Sequence, residues 1–362
     1  MTDSTLLATA LRTRQQHGVG LLRQLWQAMR LRFGPGRLDP WEYFFFRVFL
    51  DRYAWEEKRR FFGWRGEVEL DHRLNRGPDR DIANDKLKFD AFMRTIDAPV
   101  ARMLAVYSSG ALEVSGAVEV NAPIRLNNRA AMTDYLAQTP DLPLFIKPLR
   151  GAHGWGATAI TSRGEAGRIL ELGSGERVTI PDYVAGLETA AQRGYLIQEK
   201  LNPHRAIAHV CGNRLTSARI VILNEARGAK ILSAVWRVPT GTNMTDNFSA
   251  ASSGNLCAGI DLDSGTVGGV FQGIGWALRA LDAHPDTGAK LTGFCVPDWR
   301  QAADLALACA AELPGLGLQH WDVALTDRGP VLLELNVMGG LRTHQIVASG
   351  PENLRPLAKI MA

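Results

Sequence analysis

Cysteine is scarce in this chain. Cys211, Cys257, Cys295 and Cys309 are the four present, and no two form a C-x-x-C pair. Their spacing suggests neither a zinc site nor a disulfide framework, so reduced, buried thiols in a cytoplasmic protein are expected. No run approaches the about 18 apolar residues that a membrane-spanning helix needs. The opening MTDSTLLATALRTRQQ has no basic-then-apolar leader pattern, which argues against export. No Gly-Lys-Ser/Thr loop of the Walker type occurs, and no Ser/His/Asp or Cys/His arrangement suggests a covalent enzyme intermediate. Internal repeats and low-complexity stretches are also missing, and nothing points to nucleic acid.

What is there is ordinary in bulk and uneven in detail. The 362 residues, 46% hydrophobic and 22% charged, suffice for two or three modules with their own cores. The net charge of +4 is concentrated early, because residues 1–80 carry 15 Lys/Arg against 10 Asp/Glu. Such a segment could meet an acidic partner or a membrane surface, or it could be a solvated helical face. Leucines at helical spacing predict one helix over 5–31, broken by RFGPGRLDP at 32–40. Asp39 before Pro40 reads as an N-cap opening a second helix. The aromatic run in 41–64 would anchor this segment. Residues 71–83 read as a polar loop, after which Asn84 or Asp85 caps a helix, NDKLKFDAFMRTID.

From about 143 the pattern changes to short strands between Gly-rich turns: LPLFIKPL, GATAITS, GYLIQEKL, LTSARIVILNE and KILSAVWRV. Helices are predicted at 266–283, at 300–312 and at the end of the chain. The mixture is α+β, with antiparallel hairpins rather than a regular βαβ alternation.

Three groups of residues carry candidate chemistry. FIKPLRGAHGWGATAI (145–160) places Lys147 at a strand end, followed by Gly151, Gly154 and Gly156. Glycines let backbone N–H groups approach phosphate oxygens, and Lys147 adds a charge; an ordinary Gly-rich turn has the same composition. HWDVALTDRGPVLLELNVMGG (320–340) reads as a hairpin turning at 327–330, which sets Asp322 opposite Glu334. Glu334 and Asn336, two apart, share a face. Two acids on an otherwise apolar strand pair, with no basic partner in register, call for a cation between them, and Mg²⁺ suits such oxygen donors. A solvated sheet face is the alternative. Arg219 and Arg237 lie on strands that can pair through the turn at 224–228, with Asn247 following; arginine suits a transferring phosphoryl group or an acyl phosphate, or a surface ion pair.

In this order the segments NDKLKF, FIKPLRGAHGWGATAI, YLIQEKL, LTSARIVI, WRVPTGTNMTDNFSAASSGNLCAGIDLDSG and HWDVALTDRGPVLLELN resemble an ATP-grasp enzyme from about Asn84 onward. The resemblance is to the sugar-transfer-associated, alpha-L-glutamate-ligase-like branch, related to the ligase that glutamylates a ribosomal protein. It implies two α+β subdomains clasping ATP, at 84–200 with the Gly-rich hairpin and at 201–362 with the metal site, behind a helical N-terminal segment at 1–83. It further implies that Lys86 and Lys147 contact ATP phosphates. Gln198, Glu199, Lys200 and Leu201 would hold adenine through their backbone. Asp322, Glu334 and Asn336 would bind two Mg²⁺ ions, with Mn²⁺ as an alternative, and Arg219, Arg237 and Asn247 would face the γ-phosphate and the acyl phosphate.

The implied activity joins a carboxylate to an amine, releasing ADP and phosphate. A kinase acting on a hydroxyl and a non-catalytic nucleotide-binding module are the alternatives. The carboxylate would be a small molecule or glycan-linked, with Arg342, Thr343 and Gln345 as candidate substrate contacts; a homo-oligomer is left open. This sequence departs from the family at Asn336-Val337-Met338-Gly339-Gly340, where Asn-x-x-Pro-Gly is usual. His320 stands where D-alanine ligases carry an oxyanion-binding arginine and is read as structural. Asn202-Pro203-His204 offers no ribose-binding carboxylate, and His204 and His209 read as ordinary side chains. The first 80 residues are more helical than a usual first domain of the family.

Overall fold

The computed structural model describes residues 3–110, 124–149, 156–164, 167–191, 194–248, 253–347 and 352–361. The chain opens with α1 (Asp3–His17), α2 (Leu21–Arg32), α3 (Pro40–Phe45), α4 (Trp55–Lys58), α5 (Trp64–Leu74), α6 (Asp79–Asn84) and α7 (Lys86–Thr95). The single helix expected over 5–31 is instead two, because Gly18 takes φ +70 and turns the chain before Gly20. The expected loop at 71–83 is also corrected. Most of it is helical, because α5 packs Leu70 inward and Asp71 is held by Arg80 at 2.6 Å. α3 begins as expected at the Asp39–Pro40 step, with the Glu42 carboxylate accepting from the Asp39 N–H at 2.9 Å. Asp85, rather than Asn84, caps α7 by accepting from the Leu87 and Lys88 N–H groups.

Next come β1 (Met103–Tyr107), β2 (Arg125–Leu126), α8 (Arg129–Gln138), β3 (Leu144–Pro148), β4 (Thr158–Arg163), β5 (Ile169–Leu172), β6 (Arg177–Thr179), α9 (Ile180–Ala191) and β7 (Tyr195–Glu199). Their strands form one sheet in the order β2-β1-β7-β3-β4-β5-β6, antiparallel except for β1 with β2. Met132 and Leu136 of α8 and Val184 and Leu187 of α9 cover one face of it.

The remainder contains α10 (Arg205–Cys211), β8 (Ser217–Glu225), β9 (Gly228–Val238), β10 (Leu256–Ile260), β11 (Val267–Gln272), β12 (Arg279–Leu281), α11 (Trp299–Ala311), β13 (Leu318–Thr326), β14 (Gly329–Asn336), α12 (Leu341–Val347) and α13 (Arg355–Met361). A second sheet runs β12-β11-β10-β9-β8-β13-β14. The helix expected at 266–283 does not form. β11, a short 3-10 turn at Gly275–Ala277 and β12 occupy it, because Gly268, Gly269, Gly273 and Gly275 make a continuous helix costly while the run pairs as an edge of the sheet. The two-residue alternation of this sheet is complete in its centre. Ala218, Ile220, Ile222, Ala234, Trp236, Val323 and Leu325 face a core closed by Ala302, Ala306 and Ala310 of α11. The other face packs Val221, Leu223 and Val235 against further apolar clusters and carries Arg219, Arg237 and Asp322 among them, which become the site.

The N-terminal helices are bound into this second half. Phe62 and Leu70 pack with Val221, Leu223, Leu318 and Leu357, and the aromatics of α3 meet Phe271, Ile274 and Trp276. Gln345, expected as a substrate contact, is 2% exposed. Its Oε1 accepts from the Phe62 N–H at 2.7 Å and its Nε2 donates to the Phe62 carbonyl at 2.9 Å. That amide is committed to the fold, which corrects the expectation. Replacing Gln345 with Ala orphans a buried peptide at both ends. Urea unfolding is expected to show a loss of about 1–3 kcal/mol.

Candidate functional site

The site is assembled by strand register. Asp322 on β13 lies between Arg219 on β8 and Glu334 on β14. A tight hairpin at 327–330 would by itself place Leu333 opposite Asp322. One extra residue, Leu333, is bulged out of the ladder, and this brings Glu334 into register with Asp322 and Asn336 with His320. Ser217 pairs with Arg237 across β8 and β9, so Arg237 falls on the same face two residues along from the partner of Arg219.

The premise that no basic group sits in register with Asp322 is therefore wrong. Arg219 grips Asp322 at both oxygens, Nε to Oδ1 and Nη2 to Oδ2, each at 2.7 Å. Arg237 reaches Oδ2 at 3.0 Å. Burial alone would raise the Asp322 carboxyl, but Arg219 and Arg237 overcome it and hold the group at about 2. Arg237 also donates to the Ser217 hydroxyl at 2.7 Å and faces Asp246 at 3.4 Å, while that hydroxyl donates to Asp246 at 2.5 Å. Burial raises the Asp246 carboxyl, with Arg237 and Ser217 pulling the other way. Two acids and two arginines thus alternate in a charge-balanced chain.

Nearer the other sheet, Lys86 Nζ lies 3.3 Å from Glu334 Oε1. Lys147, half-buried on β3, is pulled down to about 8 by desolvation, against the opposing effect of Glu334. Lys86 and Lys147 line a cleft with Phe89, Leu196, Gln198 and Leu332, so that it lies between the two sheets. Among the cofactor-binding expectations, Gln198 sits in that cleft. The Glu199 carboxylate instead ties the halves together, accepting from Arg328 at 2.8 Å and from the Arg102 N–H at 2.9 Å. The N–H groups of Glu199 and Lys200 donate to the Arg102 and Pro143 carbonyls. Leu201 is buried beside Ala101 and Val331. Gly156, with φ +76, turns into β4, whereas Gly151 and Gly154 lie outside the described residues.

For a divalent ion, Glu334 offers a carboxylate that is one-third exposed beside Lys86. The Asn336 Nδ2, buried with no partner among the described residues, is a hydrogen-bond donor and cannot ligate a cation, so only the Asn336 Oδ1 could join Glu334. Among the described residues no group of three or more His, Cys, Asp or Glu side chains is gathered to hold a metal ion. Asp322 keeps unused lone pairs, but its charge is already balanced by two guanidinium groups. Asn247 is half-buried in the loop after β9, its carbonyl accepting from Ser253 and Asn255 side chains at 2.9 and 2.8 Å. Arg342 lies 5.7 Å from the Trp41 ring and 6.0 Å from the Trp64 ring. The Thr343 N–H donates to the Gly340 carbonyl at 3.2 Å.

His320 is fully buried with neither ring nitrogen partnered among the described residues, and desolvation followed by the Arg219 charge holds it down at about 3. It is a neutral wall behind Asp322. Gly339 packs against it so closely that a Cβ would run into the imidazole, and the Gly339 carbonyl accepts from Arg219 at 2.5 Å. This is where the usual proline is replaced. Sequence reasoning passed over Asp246, Ser217 and Glu67. The first directly precedes Asn247 and the second stands two before Arg219 on its strand. Glu67 accepts from the Gly340 and Leu341 N–H groups at the start of α12, a contact across more than 270 residues with no local signal.

No curated protein sequence matches this chain. Among solved structures it is similar to an N5-carboxyaminoimidazole synthase from Aspergillus clavatus, at 11% identity and TM-score 0.39, over 77% of this chain and 51% of that one. A D-alanyl-alanine synthetase A from Vibrio cholerae gives 13% and 0.42, over 83% and 74%. The VanG D-Ala:D-Ser ligase from Enterococcus faecalis gives 13% and 0.43, over 78% and 63%. The chain therefore spans about half the length of the first of these. A family model described as sugar-transfer associated ATP-grasp matches residues 66–360, and the chain belongs to that family, with its α+β ATP-grasp fold.

Proposed function

We propose that this protein is an ATP-dependent ligase that joins a carboxylate to an amine through an acyl phosphate. The observation that carries the reading is the pairing of Lys86 and Lys147 in one cleft with Glu334 against Lys86, backed by the Arg219–Asp322–Arg237–Asp246 network. The lysines suit the phosphates of a nucleotide whose base lies against Gln198. With the Glu199 and Lys200 N–H groups spent, Leu201 N–H is the donor of that run left for a base edge. Glu334 and Asn336, with lone pairs of Asp322, would hold one or two Mg²⁺ ions, which when bound draw charge from the terminal phosphates.

Arg219 and Arg237 hold their positive charge rigidly through Asp322, so little reorganisation is needed as a phosphoryl group passes. In the first step a substrate carboxylate oxygen bonds to the γ-phosphorus while the bond to ADP breaks. In the second, an amine nitrogen bonds to the acyl carbon, loses a proton, and phosphate leaves. Enclosure between the sheets keeps water from the acyl phosphate. The family description supports a sugar acid or an amino acid destined for a glycan as the carboxylate.

Hydroxylamine trapping tests the reading. With ATP, Mg²⁺ and a panel of carboxylates, a hydroxamate should accumulate. ADP release with a phosphorylated alcohol and no hydroxamate would make the protein a kinase instead.

The lowered Lys147 pKa adds a pH signature. The charged form exists below about pH 8 and is lost above it, so KM for ATP should rise as pH passes 8. Lys147→Arg, which stays charged, should flatten that rise even if KM is higher overall. A wild-type KM unchanged to pH 9.5, by about the range over which a free lysine keeps its charge, would remove Lys147 from the phosphates.

A further inference from the structure

α2 is built inside out. Its buried residues are Gln24, Gln27, Ala28 and Leu31. Gln24 donates to the Ala10 and Val19 carbonyls at 3.1 and 2.7 Å, and Gln27 accepts from the Tyr43 hydroxyl at 2.8 Å. Leu31 apart, most of its large apolar side chains are turned to solvent: Leu22 is 84% exposed and Phe33, just past the helix end, 80%, with Leu25, Trp26 and Met29 between them. At one residue per about 100° these five fall within an arc of about 100°. Arg23 and Arg30 flank one edge of that arc and Arg32 the other.

The feature is local to the N-terminal pair of helices. Among the described residues, seven of the nine exposed large hydrophobic side chains lie there, the other two of the seven being Leu7 and Leu11, one turn apart on α1. Residues 3–37 contain six arginines against Asp3 as the sole acid. Arg30 stacks over Trp26 at 5.6 Å and Trp26 meets Trp55 at 4.9 Å, so the indole sits between a guanidinium and a second indole at the edge of the stripe. Arg23 pairs with Asp51, Arg32 with Asp39 and Arg37 with Glu69, while Arg12 lies over the Trp276 ring, so that Arg12, Arg14 and Arg30 remain as the positive excess of the helix pair.

We propose that this helix pair is an in-plane docking surface for an anionic lipid bilayer. A convex stripe about 16 Å long, without a groove, suits a deformable planar medium. Leucine, tryptophan and phenylalanine toward the acyl boundary with arginines at headgroup depth is the arrangement an interfacial helix requires, and the arginine excess selects anionic headgroups. No described helix is long and apolar enough to cross a membrane, so the attachment is lateral and reversible.

The test is co-sedimentation of the full chain with phosphatidylcholine vesicles, with and without about one-third phosphatidylglycerol. Binding should be at least about 10-fold stronger to the anionic vesicles and should collapse at about 0.5 M salt, where charges are screened. Leu25→Glu together with Met29→Glu should abolish it, and both side chains are exposed enough that the circular-dichroism melt should not move. If that melt drops, Arg30→Gln, which touches no core residue, must still weaken anionic-vesicle binding severalfold. Absence of binding by the parent chain, or undiminished binding by both variants, overturns the proposal. So does a parent dimer that the Leu25/Met29 substitutions dissociate without any vesicle binding, because the face is then an interface between copies.

Discussion

Glu334→Gln is expected to lower ATP turnover by about 10²–10³-fold at saturating substrate while leaving the fold intact. The side chain is one-third exposed, and it pairs with Lys86 at 3.3 Å, an ion pair of modest worth for stability. Its loss should therefore barely move a thermal melt. The proposed chemistry depends on the charge itself, which balances both lysines and offers oxygen to a divalent ion. Removing one such fixed electrostatic element costs about 3–4 kcal/mol of transition-state stabilisation by analogy with single oxyanion donors. ADP release followed over a carboxylate and amine panel, beside a melt of the same preparation, separates the two effects. Near-normal turnover by the variant would remove Glu334 from the chemistry.

Asp322→Ala should behave differently, losing fold and function together. Asp322 is 3% exposed and neutralises two guanidinium groups at once. Without it Arg219 and Arg237 face each other in a buried setting, and of its acceptors among the described residues Arg219 keeps the Gly339 carbonyl. Breaking a buried pair in this way costs about 3–5 kcal/mol, read from urea unfolding, with turnover lost as the arginines move. The pH dependence has a definite sign. The folded carboxyl sits at about 2, below its ordinary value, so the stability it contributes is complete above about pH 4 and falls away as pH drops toward 2. A variant that unfolds no more readily than the parent would show that the network is not held by this residue.

The parts of the site that could be read in advance are those set by short-range pattern. The hairpin around 327–330 announces itself by its turn residues between apolar runs, and Asp322 does oppose Glu334. The strands carrying Lys147, Arg219 and Arg237 and the helix cap at Asp85 were equally visible. What escaped depends on pairings distant in sequence. β8 and β13 adjoin although Arg219 and Asp322 are 103 residues apart, so the cation expected from outside is partly supplied from within. The bulge at Leu333 has no composition of its own. The opposite registration was right only because the extra residue is there. Residues 266–283 have leucines and alanines enough to suggest a helix, yet four glycines and an open sheet edge decide otherwise. Gln345, expected as a substrate contact, is instead spent on a backbone 283 residues away.

That last contact has a practical meaning for anyone cutting the gene. Shared family sequence begins at residue 66, but Phe62 is gripped by Gln345, and the Trp64 N–H donates to Glu42 at 2.8 Å. A fragment trimmed to the matched stretch would keep Glu67 on α12 while stripping away the aromatic layer beneath it. The recognisable region is thus smaller than the piece of protein that can stand by itself, and a fragment should start upstream of Asp39.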